Sequence, residues 1–140
     1  DAKLSLARSA GADAVVNATV GCAVDEVRKI VRGGVHGVLV TAPSVGAFRQ
    51  GIGMARRHGT VVLVGLPAGE FPISIFDIVL KRITIRGSIV GTRRDLDEAI
   101  AFAANGKIHC HHVNRPLAEI NQIFKDMAAG QIEGRVVLSI

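Results

Sequence analysis

Three histidines and a cysteine crowd into Ile108-His109-Cys110-His111-His112, the densest set of metal-capable side chains in the chain. Imidazole and thiolate are good zinc ligands. On an extended strand, however, successive side chains point to opposite faces, so His109 and His111 part from Cys110 and His112. Each face then offers two ligands, fewer than the three or four protein ligands of a zinc site. Cys22 has no thiol or histidine near it in sequence and reads as a buried or inert cysteine. No nucleophile–base pair or paired carboxylates are visible. Asp25, Glu26, Asp95, Asp97 and Glu98 fall at helix starts, where they offset the positive end of the helix dipole.

Binding chemistry is easier to read than catalysis. Arg56-Arg57-His58-Gly59 looks like a cationic helix end, and Thr60-Val61-Val62-Leu63-Val64 follows as a β-rich apolar run closed by Gly65-Leu66-Pro67. A short apolar strand bounded by turn residues suits a parallel sheet buried on both faces. The carboxyl end of such a strand is where open α/β sheets bind ligands, and Gly65, without a Cβ, would let a flat cofactor approach the backbone. No Gly-x-Gly-x-x-Gly occurs, so any dinucleotide site here lacks its phosphate-cradling turn.

The elements that would position these residues alternate along the chain. Helices are predicted over Lys3 to Ala10, Val24 to Arg32 (apolar at Val24, Val27, Ile30 and Val31), Ser44 to about His58, Asp77 to Lys81, Leu96 to Asn105 and Leu117 to Ala129. Strands are predicted over Ala14 to Asn17, Gly37 to Ala42, Val61 to Leu66, Ile83 to Ile89 and Val136 to Leu138. Thr92-Arg93-Arg94-Asp95 resembles a capping box. The last long helix carries Leu117, Ile120, Phe124 and Met127 on one face. This pattern predicts one α/β domain, Rossmann-like, with a mostly parallel sheet and flanking helices. If Ala14 to Asn17 is the third strand of a 3-2-1-4-5-6 sheet, the first strand-helix-strand unit is lacking.

Composition narrows the class. The chain has 140 residues, 49% hydrophobic and 21% charged, which suits a folded core rather than disorder. No apolar run approaches the ~20 residues of a membrane span. Two cysteines are too few for a disulfide scaffold, so a reducing cytoplasm is expected. The net charge of +5 is spread over Arg28-Lys29, Arg56-Arg57, Lys81-Arg82 and Arg93-Arg94. With no Tyr or Trp to stack on bases, a nucleic-acid partner is not expected.

Four segments are more specific: Gly37-Val38-Leu39-Val40-Thr41-Ala42 with Ala47-Phe48, Val64-Gly65-Leu66-Pro67-Ala68-Gly69, Ile85-Arg86-Gly87-Ser88-Ile89-Val90-Gly91-Thr92-Arg93, and Gly130-Gln131-Ile132-Glu133-Gly134-Arg135-Val136-Val137-Leu138. Together they resemble the zinc-dependent medium-chain alcohol dehydrogenases, particularly the bacterial and yeast ethanol-active type. The resemblance spans nearly the whole chain. It implies the later part of the NAD-binding domain plus the C-terminal tail, with the catalytic domain and both zinc sites placed ahead of Asp1.

The resemblance also implies roles. Lys3 matches a lysine at the adenosine ribose, and Thr41 and Ala42 match the end of the fourth strand beside that ribose and the nicotinamide crevice. Val64, Gly65 and Leu66 match the segment beside the nicotinamide ring and its carboxamide. Ser88, Ile89 and Val90 match the segment whose backbone hydrogen-bonds the carboxamide, and Arg135 matches the pyrophosphate-binding arginine. The implied parent enzyme oxidises a primary alcohol to an aldehyde with NAD and zinc, as a homodimer or homotetramer joined through the strand Ile83 to Val90. The 140-residue chain alone, holding no catalytic or metal-ligating residue of the family, is expected to be inactive and to bind NAD weakly or not at all. A polyol dehydrogenase, a quinone reductase and a non-catalytic nucleotide-binding or assembly module stay open as alternatives.

Overall fold

A computed structural model describes residues 2–140. Its elements run α1 (Ala2–Ser9), α2 (Ala23–Ile30), β1 (Val35–Val40), α3 (Val45–Met54), β2 (Ala55–Leu63), α4 (Ile75–Lys81), β3 (Thr84–Gly87), α5 (Arg93–Ala104), β4 (His112–Pro116), a 3-10 turn (Leu117–Glu119), α6 (Ile120–Ala128) and β5 (Arg135–Ser139). They form two compact units, Lys3–Val90 and Gly91–Ile140. Both sheets are parallel and carry flanking helices, which makes the fold α/β and Rossmann-like.

The first unit is built on a three-stranded sheet in the order β1-β2-β3. Val61 sits at its centre, opposite Val38 of β1 and Ile85 of β3, with no exposed surface. The Ser44 hydroxyl accepts the Ala47 amide and starts α3, whose Phe48 and Ile52 pack into a core with Val40, Ala55, Val61 and Ile83. Phe71 meets Phe48 edge-on, with ring centroids 5.4 Å apart. Gly51 lets α3 lie close over the sheet: a Cβ there would stand 2.7 Å from Val40 Cγ2. The second unit pairs β4 with β5, and α6 contributes the buried Ile123.

Several expectations are corrected. Ala14 to Asn17 is not a strand: it makes no ladder with any described strand, and the Asn17 side chain accepts from Thr19 N–H at 2.9 Å in a local turn. The helix expected to reach His58 stops at Met54, and Arg56-Arg57-His58 belong to β2. Strand β2 ends at Leu63, so Val64 to Leu66 lie just beyond it. A 3-10 turn (Leu117–Glu119) precedes α6, so the helix expected from Leu117 begins at Ile120. The expected apolar face is displaced: Ile123 is buried, while Leu117, Phe124 and Met127 are about half exposed. Helix α2 ends at Ile30 because Val31 turns extended, and this leaves Ile30 and Val31 exposed. Cys22 is exposed rather than buried.

The expected capping box is present. Thr92 N–H and Oγ1 donate to Asp95 Oδ2 at 2.6 and 2.7 Å, and Asp95 N–H donates to Thr92 Oγ1 at 3.3 Å. The backbone bond from Thr92, then its hydroxyl, hold the Asp95 carboxyl below its ordinary value. A carboxylate depressed by folding contributes stability above its unfolded value, ~3.9, and that contribution is lost as pH falls through the folded value. In an NMR titration the Thr92 amide should stay unchanged down to about pH 4 and move below it. A Thr92 amide that moves at or above the ordinary carboxylate range would contradict the box. In the core, Ile52→Ala should cost about 2–5 kcal/mol of stability by urea unfolding. A loss under about 0.5 kcal/mol would place Ile52 outside the core.

Candidate functional site

Because β1, β2 and β3 run parallel, their carboxyl ends emerge along one edge. Val40 pairs with Leu63, and Leu63 with Gly87. The chain continues past each end under backbone control. Val64 and Gly65 N–H both donate to the Val40 carbonyl, at 2.9 and 3.0 Å, and Ser88 N–H donates to the Leu63 carbonyl at 3.0 Å. Thr41-Ala42, Val64-Gly65-Leu66 and Ser88-Ile89-Val90 are thereby brought side by side. Eight of the ten residues singled out by sequence belong to this one edge.

Gly65 also serves the packing of the sheet. A Cβ at this position would overlap the Ala42 carbonyl oxygen and stand 2.7 Å from the Ala42 carbonyl carbon. Glycine is required here so that two strand ends can approach each other. The rim that remains open is apolar: Leu66 is 87% exposed, Ile89 81% and Val90 95%. These side chains have no internal partner to bury them, a cost that covering by a flat ligand would remove. Val90 adopts φ +30°, a conformation that a β-branched residue takes only under constraint.

The edge carries two hydroxyls, from Thr41 and Ser88, and no titratable side chain among these eight residues. It can bind and orient a ligand and exclude water, but it supplies no acid or base. The other two expected residues lie elsewhere in the chain. Lys3 is exposed in the first turn of α1, a helix that buries none of its residues. Arg135 opens β5 in the second unit; its N–H donates to the His111 carbonyl at 2.9 Å. Its guanidinium donates only to the Gly134 carbonyl, at 3.2 Å, and makes no ion pair with a described carboxylate.

The histidine-rich segment does not assemble a metal site. Among the described residues no three His, Cys, Asp or Glu side chains come together in a way that could hold a metal ion. His112 opens β4, a strand that sequence reasoning missed, and His111 instead lines a cleft of about 390 Å³ with Arg115, Asp126 and Glu133. In that cleft Arg115 donates to Asp126 at 2.8 Å and to Glu119 at 2.7 Å. Asp126 is held below its ordinary pKa by Arg115 and then Gln122, and Arg115 is raised by Asp126 and then Glu119. The i,i+4 spacing of Arg115 and Glu119 is a signal that could have been read from the sequence. The pairing of Arg115 with Asp126, eleven residues on, needed the fold.

The α/β fold agrees with what comparison with known proteins shows. A family profile described as zinc-binding dehydrogenase matches residues 1–105. The chain belongs to the zinc-binding dehydrogenase family. Among its relatives, an alcohol dehydrogenase of Rhizobium meliloti (strain 1021) is 51% identical over 138 residues, covering 99% of this chain and 40% of that protein. An alcohol dehydrogenase of Geobacillus stearothermophilus is 51% identical over 140 residues, covering 100% of this chain and 41% of that protein. The crystal structure of the alcohol dehydrogenase from the archaeon Aeropyrum pernix superposes with a TM-score of 0.92 at 28% identity, covering 98% of this chain and 40% of that one. The chain thus spans about 40% of the length of the relatives it matches, and the resemblance read from its four segments holds at the level of the family.

The close approach at Gly65 gives a direct test. Gly65→Ala should cost about 1–3 kcal/mol by urea unfolding, the usual penalty of overpacking, because backbone rather than a flexible side chain occupies the space. A variant as stable as the parent would show that the two strand ends are not held together there.

Proposed function

We propose that this chain forms the nicotinamide-side wall of an NAD-dependent alcohol dehydrogenase that oxidises a primary alcohol to an aldehyde. One observation carries the reading: Thr41-Ala42, Val64-Gly65-Leu66 and Ser88-Ile89-Val90 converge on the carboxyl edge of one parallel sheet, where α/β folds bind nucleotides. An exposed apolar rim beside the backbone of Ser88 to Val90 fits the face and carboxamide of a nicotinamide. When bound, that ring supplies the hydride acceptor of the reaction.

The residues of this chain bind and orient. Val64, Leu66, Ile89 and Val90 cover the ring and exclude water from it, and backbone groups from Ser88 to Val90 fix its carboxamide. Thr41 and Ala42 flank the crevice on the ribose side. The guanidinium of Arg135, which makes no ion pair with a described carboxylate, suits diphosphate oxygens in a forked pair of hydrogen bonds, and Lys3 serves the adenosine ribose. The described residues do not fit a zinc site, so no zinc step is derived for them. Zinc enters the reading through the family alone.

We extend the reading to assembly and location. Strand β3 is the outer strand of its three-stranded sheet, and the segment Ile83 to Val90 would join two copies across a two-fold axis, closing an otherwise open row of backbone donors and acceptors. Both cysteines are free and exposed, in keeping with a reducing cytoplasm. No helix among the described residues is long and apolar enough to cross a membrane.

A chimera tests the function. Residues 1–140 would replace the matching segment of the Geobacillus stearothermophilus alcohol dehydrogenase. The expected result is ethanol-dependent NADH formation, with Arg135→Ala weakening NAD binding by about 1.5–3 kcal/mol, the scale of a hydrogen bond to a charged group. A folded chimera that makes no NADH from any primary alcohol would refute the proposal. NAD binding untouched by Arg135→Ala would remove Arg135 from the site.

A further inference from the structure

The amino-terminal end of the first unit, opposite the strand ends just described, has a different chemistry. Between the pairs Val35↔Ala55 and Gly37↔Thr60 the register shifts. Strand β1 advances two residues there while β2 advances five, so part of Arg56-Arg57-His58-Gly59 bulges out of the ladder. His58 takes a left-handed φ of +58°. Gly59 is buried, and a Cβ on it would stand 2.9 Å from the Arg56 carbonyl oxygen. The bulge is therefore tightly folded, with Arg56, Arg57 and His58 all exposed on its outside.

Two neighbouring segments add to it. Arg28, in the last turn of α2, donates through Nη2 to the Gly53 carbonyl at 2.6 Å, which fixes the end of α2 beside the end of α3. The turn after Arg32 packs on the same place: a Cβ at Gly34 would stand 3.0 Å from Arg56 N. Arg28, Arg32, Arg56 and Arg57, with His36 and His58, thus gather at one end of the unit. Among the described residues none of these four arginines forms an ion pair with a carboxylate. Lys29 does, through Glu26. Of four cationic pairs that look dispersed along the sequence, the fold brings two together.

The patch is not purely ionic. Ile30 is 54% exposed and Val31 38% exposed, and they lie between Lys29 and Arg32. A phosphate backbone would pair with the guanidinium groups but leave this apolar pair in water. A polypeptide carrying both carboxylates and apolar side chains would satisfy both, since guanidinium forks match carboxylates in bidentate geometry and apolar area gains by being covered. Aromatic platforms for bases are also lacking, because the chain has no Tyr or Trp. We propose that this end of the first unit is an interaction surface for an acidic, amphipathic segment of a partner protein.

The test uses the full 140-residue chain and a fluorescein-labelled peptide of alternating Glu and Leu, followed by anisotropy. An all-Glu peptide and a DNA oligonucleotide of equal charge serve as competing probes. The Glu-Leu peptide is expected to bind, more weakly as salt rises. The Arg56→Ala/Arg57→Ala double variant should lose about tenfold in affinity, or about 1.4 kcal/mol. Arg93→Ala/Arg94→Ala, in the second unit, should leave binding unchanged, with circular dichroism confirming that each variant is folded. Absence of binding, or binding indifferent to Arg56 and Arg57, would overturn the proposal. Tighter binding of the oligonucleotide would replace the acidic peptide by nucleic acid, and an all-Glu peptide binding as well as Glu-Leu would remove Ile30 and Val31 from the surface.

Discussion

Val61 is held in parallel register between Val38 and Ile85, and its side chain is fully buried under α3. The rest of the first unit depends on that central strand. With β2 fixed between β1 and β3, the carboxyl ends of all three strands are level within a few residues, and the segments that leave them must run along one edge. The same pairing requires the Gly65 backbone to pass close to the Ala42 carbonyl. The candidate crevice is thus a product of sheet register, with no side chain of its own needed to build it. Under the proposed function this division is expected: the protein supplies binding and orientation, and the cofactor carries the chemistry.

The two ends of the first unit are chemically distinct. At the carboxyl end the exposed groups are apolar side chains, two hydroxyls and backbone, which suits a flat heterocycle. At the amino end they are guanidinium and imidazole groups together with the exposed Ile30 and Val31. Both surfaces rest on glycines whose missing Cβ permits close backbone approach, Gly65 at one end and Gly34 and Gly59 at the other. Parallel strands put like ends together, so one sheet can present two unlike binding surfaces without either constraining the other.

The legibility of the chain follows from how local each signal is. The Thr92–Asp95 box, the Ser44 cap and the strand around Val61 were readable because capping and short apolar runs are decided within a few residues, whereas the grouping of Thr41, Val64 and Ser88 came only from the family resemblance, since it depends on long-range strand pairing. The strand expected at Ala14 to Asn17 failed because a strand exists only through a ladder, and no described strand provides one. Arg56-Arg57-His58 were misread as a helix end because nothing in their composition announces a bulge; the left-handed turn at His58 is imposed by register. The face of α6 was misplaced because periodicity alone does not say which side of a helix is covered, and the fold buries Ile123 in place of Phe124 and Met127. The histidine cluster was read as one extended strand, but only its last residue, His112, lies in a strand, and β4 was not seen because its pairing with β5 is a long-range event.

The central claim is that the level ends of β1, β2 and β3 hold the nicotinamide half of NAD. Methyl NMR of the chimeric alcohol dehydrogenase, with Val, Leu and Ile methyls labelled, tests it most directly. On addition of NAD the account requires the methyl signals of Val64, Leu66, Ile89 and Val90 to shift, while those of Ile30 and Val31 at the opposite end stay fixed. NAD bound to the chimera with the first four unmoved would contradict it.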